Sequence, residues 1–173
     1  MVNTELDELI VRLIAGVDLF RHLDRQAIVD ILRGASRAVF KAGEIVFEEG
    51  AEGHSLYVPV RGSFEVFRQQ NGNRVQLAKI SPGGHFGEIA LLGARRRTAS
   101  VKALENSLAI RFSRQSLDTQ PAVASLLYRN MACMLAERLI KADEEIMFHH
   151  RTDARTTSAE PAPVITPPPR RIG

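Results

Sequence analysis

The sequence has few of the features that define several large protein classes. Its single cysteine, Cys133, excludes an internal disulfide, a CxxC redox pair and a cysteine-ligated iron–sulfur cluster. No apolar run approaches the roughly 18–20 residues that a membrane-spanning helix needs. The N-terminal stretch carries Glu5, Asp7 and Glu8 where a signal peptide has positive charge. We therefore expect a cytoplasmic protein without a membrane span.

A large excess of charge of one sign is also missing. The 173 residues contain 23 Lys and Arg against 20 Asp and Glu, a formal net charge of +3. Residues 151–173 hold four arginines and two acidic side chains, which leaves a net charge of +1 for residues 1–150. Because proteins that bind nucleic acid need a basic surface, a nearly neutral body predicts no nucleic-acid partner.

Length and composition indicate one globular domain with a tail. Hydrophobic residues make up 45% of the chain and charged residues 25%, the balance of an ordinary globule with a normal core. Five of the eight prolines fall in residues 151–173, together with Ser, Thr and Arg. Such a segment buries too little apolar surface to fold, so residues 148–173 are predicted to form a disordered tail.

Helical spacing of apolar residues predicts helices at both ends of the domain. The first lies in residues 1–16 and ends at Gly16. Asp24 then fits as the N-cap of a second helix, because its carboxylate can accept the free N–H groups of a first turn. Towards the C-terminus the spacing predicts a long helix from Pro121, a residue suited to the first helical position, to about Met147.

The long C-terminal helix also carries a seven-residue repeat. A helix of up to ~40 Å is longer than so small a body can cover, so we expect it to pack on a partner helix, a second subunit or a ligand. The repeat permits a coiled-coil seam, and its members are Leu126, Cys133, Ile140 and Met147. We expect Cys133 to be a packing residue of this helix.

The middle of the chain has the two-residue period of β-strands. Glycine-rich and asparagine-rich turns separate the predicted strands at the spacing of an all-β unit. Asn71-Gly72 predicts a hairpin, because both residues tolerate positive φ. Pro59 lacks an N–H for a sheet hydrogen bond, so its strand is predicted at an edge or a bulge. The predicted strands are residues 39–40, 45–47, 56–60, 63–67, 74–80, 98–103 and 108–112.

Residues 86–101, FGEIALLGARRRTASV, are the most informative about chemistry. Residues 88–92 are good helix formers and Gly93 ends them, which predicts a short helix between two strands. The N–H groups at the start of this helix, in residues 87–90, can bind an anion. Arg97 adds a charged planar fork that suits two phosphate oxygens.

Three neighbours complete a nucleotide-like pattern. Thr98 and the N–H of Ala99 supply neutral donors, whereas the Glu88 carboxylate would repel phosphate but accept a sugar hydroxyl. One charge-neutralising arginine fits a phosphodiester better than a triphosphate. The alternative is that Glu88 and Arg97 form a structural ion pair across a turn.

This segment closely resembles the phosphate-binding cassette of the cyclic nucleotide-binding domain family. The resemblance covers about residues 17–147 and includes Gly50, Gly53 and residues 56–58 and 62–66. It implies an α+β fold: an antiparallel, jelly-roll-like β-roll at about residues 36–112 with an embedded cassette helix. N-terminal helices and a C-terminal helix at about residues 121–147 would flank the roll.

The resemblance also implies a role for each site residue. Glu88 would bind the ribose 2′-hydroxyl and Arg97 the exocyclic phosphate oxygens. Arg138 is the candidate on the C-terminal helix that covers the base, and movement of that helix would carry the signal. The resemblance predicts cAMP as the ligand and leaves cGMP open, since the threonine at position 98 can also contact guanine in the channel members of the family. The remaining contacts, largely through backbone groups, would come from Gly87, Ile89, Ala90, Thr98 and Ala99.

We therefore expect a bacterial-type binding module and not an enzyme. No nucleophile–base pair or metal-ligand spacing is visible, so no metal or other cofactor is expected. The C-terminal helix would pass the signal to a homodimer partner or a protein effector. The open alternatives are a ligand-free interaction scaffold with the same fold, a truncated transcription regulator that binds DNA, and a nucleotide-hydrolysing enzyme.

Overall fold

The computed structural model describes residues 4–93 and 96–157. The described helices are α1 (Thr4–Ala15), α2 (Arg25–Arg33), α3 (Arg114–Asp118) and α4 (Pro121–Thr157), with 3₁₀ turns at Asp18–Phe20 and Glu88–Leu91. The described strands are β1 (Ser36–Phe40), β2 (Ile45–Phe47), β3 (Ser55–Arg61), β4 (Phe64–Gln70), β5 (Asn73–Ile80), β6 (Ser100–Ala103) and β7 (Ser107–Ser113). Among these helices, none has the length and apolar character needed to cross a membrane.

The strands form two antiparallel sheets, in the orders β1-β7-β3 and β2-β6-β4-β5. With the helices at both ends and the 3₁₀ turn Glu88–Leu91 between β5 and β6, this arrangement confirms the predicted α+β fold with an antiparallel β-roll. Strands consecutive in the chain are often in different sheets, so loops repeatedly cross between the sheets.

Two local features of the strands confirm predictions from the sequence. Asn71 and Gly72 have φ angles of 52° and 77° and turn the chain between β4 and β5. Pro59 lies in β3, an edge strand of its sheet, and the register with β7 shifts between Pro59 and Arg61. The proline thus lies where a missing N–H disturbs the sheet least.

The N-cap predicted at Asp24 is present. The Asp24 side chain accepts a hydrogen bond from the N–H of Ala27 at 2.7 Å, and α2 ends at Arg33 before Gly34. Ile28 and Ile31 then face the core. The cap fixes where α2 begins, and the apolar residues on one side of the helix face the core.

We expect Asp24→Ala to lower the free energy of unfolding by about 1 kcal/mol, because the first turn of α2 loses its acceptor. Asp24→Asn retains a side-chain oxygen at the cap and should unfold like the wild type. Asp18→Ala is the matched control, since the side chain of Asp18 lies in an exposed ion pair with Arg21. Urea unfolding measures all three, and equal midpoints for Asp24→Ala and wild type would contradict the cap.

Two apolar clusters form the core. The larger one joins α1, α2, α3 and the first turns of α4 to the outer face of β3 and β7, through residues such as Phe20, Phe112 and Leu127. The smaller one lies between the sheets and consists of Phe64, Phe86, Val101, Ala103 and Ala109. Phe86 lies two residues before the 3₁₀ turn Glu88–Leu91, so the second cluster anchors the chain just before that turn.

Helix α4 belongs to two structural units, residues 1–134 and residues 135–173. In the first unit Leu127 and Met131 are buried, and the Asn130 side chain donates to the carbonyl oxygens of Leu19 at 3.0 Å and Arg21 at 2.8 Å. Cys133, by contrast, is exposed in this chain, and its role as a packing residue against a partner helix stays a prediction.

The second unit, as far as it is described, is the helical segment from residue 135 to Thr157. The helix therefore continues past Met147, into residues predicted to be a disordered tail, because no glycine or proline occurs between residues 148 and 157. Leu139, Ile140 and Met147 are exposed. The proline-rich residues 158–173 lie outside the described residues, and the domain boundaries stay predictions.

Candidate ligand-binding site

The predicted short helix is the 3₁₀ turn Glu88–Leu91, called the cassette turn below. Gly87 precedes it with a φ of 84°, a left-handed conformation that a residue with a side chain adopts only at a cost. The Glu88 side chain is buried, as is Ala90. The first residue of the turn, Glu88, is thus buried. It is the residue predicted from the sequence as the acceptor for a sugar hydroxyl.

Arg97 reaches from the start of the next strand region into this part of the β-roll. It is 6% exposed, and its Nη1 donates to the carbonyl oxygens of Ser55 at 2.8 Å and Gly87 at 3.0 Å. The guanidinium carbon lies 3.9 Å from the centroid of the Phe47 ring, a cation–π contact. Arg97 therefore links β2, β3 and the residue before the cassette turn.

Two glycines make room for this guanidinium. A Cβ atom at Gly53 would lie 2.3 Å from Nε of Arg97, and one at Gly87 would lie 2.6 Å from Nη1. Both distances are well below 3.0 Å, which non-bonded contacts of a Cβ atom essentially never reach. The backbone therefore passes directly against the arginine on two sides, and these two positions accept no side chain while Arg97 keeps its conformation.

The Arg97 guanidinium is incompletely satisfied. Its Nε is buried and has no hydrogen-bond partner among the described residues. Buried donors are nearly always paired, and an unpaired one costs about 1–3 kcal/mol. Burial lowers the pKa of Arg97, and the charge of Arg111 lowers it further, whereas Tyr57 and Glu88 raise it. The group still carries its proton at neutral pH, so an acceptor with negative charge would stabilise it.

The other predicted site residues differ in burial. Ala99, two residues after Arg97, is buried, Ile89 is half-buried, and Thr98 is exposed with its carbonyl oxygen accepting from Nε of Arg68 at 2.6 Å. Arg138 is exposed in the second unit, residues 135–173. Its role as the residue that covers the base stays a prediction.

Sequence reasoning missed Arg114, which contacts the other end of the cassette turn. Its Nη2 donates to the carbonyl oxygens of Leu91 and, at 3.3 Å, of Ala90. Arg114 is the first residue of α3, a helix that begins with a capping box between Ser113 and Ser116. The spacing of these two serines was the available signal for α3. No pattern in the sequence indicates which carbonyls the arginine would bind.

The comparisons with known proteins agree with this geometry. Residues 37–120 match the family model described as the cyclic nucleotide-binding domain. The chain is 30% identical to the cyclic AMP receptor protein of Thermus thermophilus over 145 residues, which is 83% of this chain and 67% of the relative. The chain belongs to the cyclic nucleotide-binding domain family. The resemblance inferred from residues 86–101 is thereby confirmed.

Two further comparisons agree with this family. The crystal structure of the Thermus thermophilus catabolite activator protein matches with a TM-score of 0.71 and 30% identity, over 77% of this chain and 63% of that one. The cAMP-dependent protein kinase regulatory subunit of Blastocladiella emersonii is 37% identical over 91 residues, or 52% of this chain. The chain spans 23% of that subunit, so the match concerns the domain and not the whole protein.

Proposed function

We propose that this cyclic nucleotide-binding domain binds a cyclic nucleotide, cAMP or cGMP, between Arg97 and the cassette turn. The observation that carries the proposal is the buried Arg97, whose Nε has no partner among the described residues. A phosphodiester has a single negative charge, which matches one buried guanidinium. It also offers acceptor oxygens to a donor that is otherwise unpaired.

The remaining site residues take the roles that the family pattern implies. The buried Glu88 would accept a hydrogen bond from the ribose 2′-hydroxyl, because a carboxylate at the start of the turn repels phosphate but not a hydroxyl. The Thr98 hydroxyl is at an exposed position, where it can meet guanine and admit cGMP. Backbone groups complete the site at Gly87, Ile89, Ala90 and Ala99.

The signal would leave through α4. Leu139, Ile140 and Met147 are exposed on the second unit, which suits a contact with a second copy of the chain or with an effector protein. Arg138 would cover the base, and a ligand that binds one position of the helix more tightly would shift the population towards it. We assign the protein as a bacterial-type, cytoplasmic sensor without catalytic activity or a nucleic-acid partner.

One observation favours a second function, a scaffold that keeps the fold without a ligand. Nη1 of Arg97 already has two carbonyl partners, Ser55 and Gly87, and the guanidinium stacks on Phe47. These contacts can hold the side chain in place when no phosphate is bound. The geometry of the cassette would then serve only the stability of the β-roll.

Calorimetry with cAMP and cGMP separates the two functions. We expect one or both nucleotides to bind at micromolar concentration with one site per chain, and 5′-AMP to bind more weakly because its phosphate is not part of a ring. Mass spectrometry of the protein as purified should identify which nucleotide it retains. No heat from either cyclic nucleotide at millimolar concentration, with no retained nucleotide, would favour the scaffold.

A further inference from the structure

One serine holds two guanidinium groups. The carbonyl oxygen of Ser55 accepts from Nη1 of Arg97 at 2.8 Å, and the hydroxyl oxygen of the same residue accepts from Nε of Arg111 at 2.9 Å. Ser55 is itself buried. Because the two acceptor atoms belong to one residue, the two cationic side chains must lie close to each other.

The strand register puts Arg111 on the face of β3 that leads to the cassette turn. Arg111 in β7 is paired with Tyr57 in β3, and Ser55 lies two residues before Tyr57, on the same face. The Tyr57 ring stacks on Phe86 with centroids 5.2 Å apart, and the backbones of these two residues exchange hydrogen bonds of 2.9 and 3.0 Å. Arg111 thus reaches the site from the face that also contacts the residue before Gly87.

Two like charges at this place cost free energy unless something of opposite charge offsets them. Arg111 is one of the groups that lower the pKa of the buried Arg97, next to burial itself, whereas Tyr57 and Glu88 raise it. Arg111 is exposed, and its bond to Ser55 uses one of five N–H donors on the guanidinium. The buried Arg97 and the exposed Arg111 could therefore approach one anion from two sides.

We propose that Arg111 is a second phosphate-binding residue of this site, positioned towards Arg97 by the hydroxyl of Ser55. This inference rests on the proposed function and goes beyond it, because neither the sequence pattern nor the cassette assigns a role to β7. The bound phosphate would then be held from the buried side by Arg97 and from the solvent side by Arg111.

The test uses Arg111→Gln, which removes the charge but keeps an amide donor for Ser55. We expect the Kd for cAMP and for cGMP to rise by about tenfold at low ionic strength, since a charge-assisted hydrogen bond to phosphate is lost. The ratio of the two Kd values should stay constant, because the contact is to the phosphate and not to the base. The difference from wild type should shrink as salt is added, since Arg111 is exposed.

Arg61→Ala is the matched control, because Arg61 is exposed at the end of β3 and its loss changes the net charge equally. It should leave the Kd within about twofold of wild type. Ser55→Ala should weaken binding less than Arg111→Gln, and the double variant should bind like Arg111→Gln alone, since both act through one contact.

The outcomes separate this inference from the proposed function. If the wild type binds cyclic nucleotide and Arg111→Gln binds equally well, or loses affinity equally at all salt concentrations, the role of Arg111 is overturned while the proposed function stands. If the wild type binds neither nucleotide, both fail. Thermal unfolding of the unliganded variants identifies a variant that has lost its fold, and Arg111→Lys then serves as the replacement, with a smaller loss of affinity expected.

Discussion

Arg97→Ala is expected to weaken cyclic nucleotide binding by about 30-fold or more. Removing one partner of a buried, hydrogen-bonded charge pair costs about 2–5 kcal/mol, and each 1.4 kcal/mol is a factor of ten in Kd. Arg97 is 6% exposed, so water cannot replace the lost donor easily. Titration calorimetry with cAMP and cGMP on the variant and the wild type measures the change.

The unliganded fold should be affected much less than binding. The variant leaves the carbonyl oxygens of Ser55 and Gly87 without this donor, but it also removes a buried charge whose Nε has no partner among the described residues. These contributions have opposite signs, so we expect the free energy of unfolding to change by about 1 kcal/mol or less. The increase in Tm that nucleotide gives the wild type should disappear.

Arg97→Lys is the matched variant for charge. Lysine keeps one positive charge but cannot donate to Ser55 and Gly87 while also presenting a second N–H to a phosphate, because it lacks the planar fork. We expect the nucleotide affinity of Arg97→Lys to lie between the affinities of wild type and Arg97→Ala. If the Kd of Arg97→Ala for the nucleotide stays within about threefold of wild type, the phosphate does not bind at Arg97.

Elements with a clear period or a marked boundary could be predicted from the sequence. The helix α1, the cap at Asp24 and the hairpin at Asn71-Gly72 each follow from local chemistry, and the structure has them where expected. Pro59 lies in an edge strand and at a register shift, because a residue without an N–H cannot donate a hydrogen bond inside a regular sheet. These features depend on residues near one another in the chain.

Features that depend on distant residues could not be predicted. Arg97 was expected to present its fork to a ligand, but nothing in its own segment indicates that Nη1 would bind the carbonyls of Ser55 and Gly87. The role of Arg111 depends on the register between β3 and β7, which is a tertiary property. The cassette turn is 3₁₀ and ends at Leu91, because a turn so short is set by its anchors more than by propensity.

Gly53→Ala is expected to reduce cyclic nucleotide affinity nearly as much as removal of Arg97, although it adds only one methyl group. The new Cβ would lie 2.3 Å from Nε, 2.6 Å from Cζ and 2.8 Å from Cδ of Arg97, so the whole guanidinium must leave its place. Its bonds to Ser55 and Gly87 would break, and we expect the free energy of unfolding to fall by about 1–3 kcal/mol. Calorimetry and urea unfolding measure the two effects.

A double-mutant cycle of Gly53→Ala with Arg97→Ala measures whether the cost of the new methyl group depends on the arginine. Gly53 has no positive φ, so its substitution should cost almost nothing once Arg97 is truncated. Gly87 is the matched control: its φ of 84° makes Gly87→Ala cost about 1–2 kcal/mol even without the arginine. If Gly53→Ala lowers the free energy of unfolding as much in the Arg97→Ala background as in the wild type, the glycine is needed for the conformation of its own loop and not for Arg97. Loss of the effect in that background would instead identify Gly53 as the position that admits the phosphate-binding arginine.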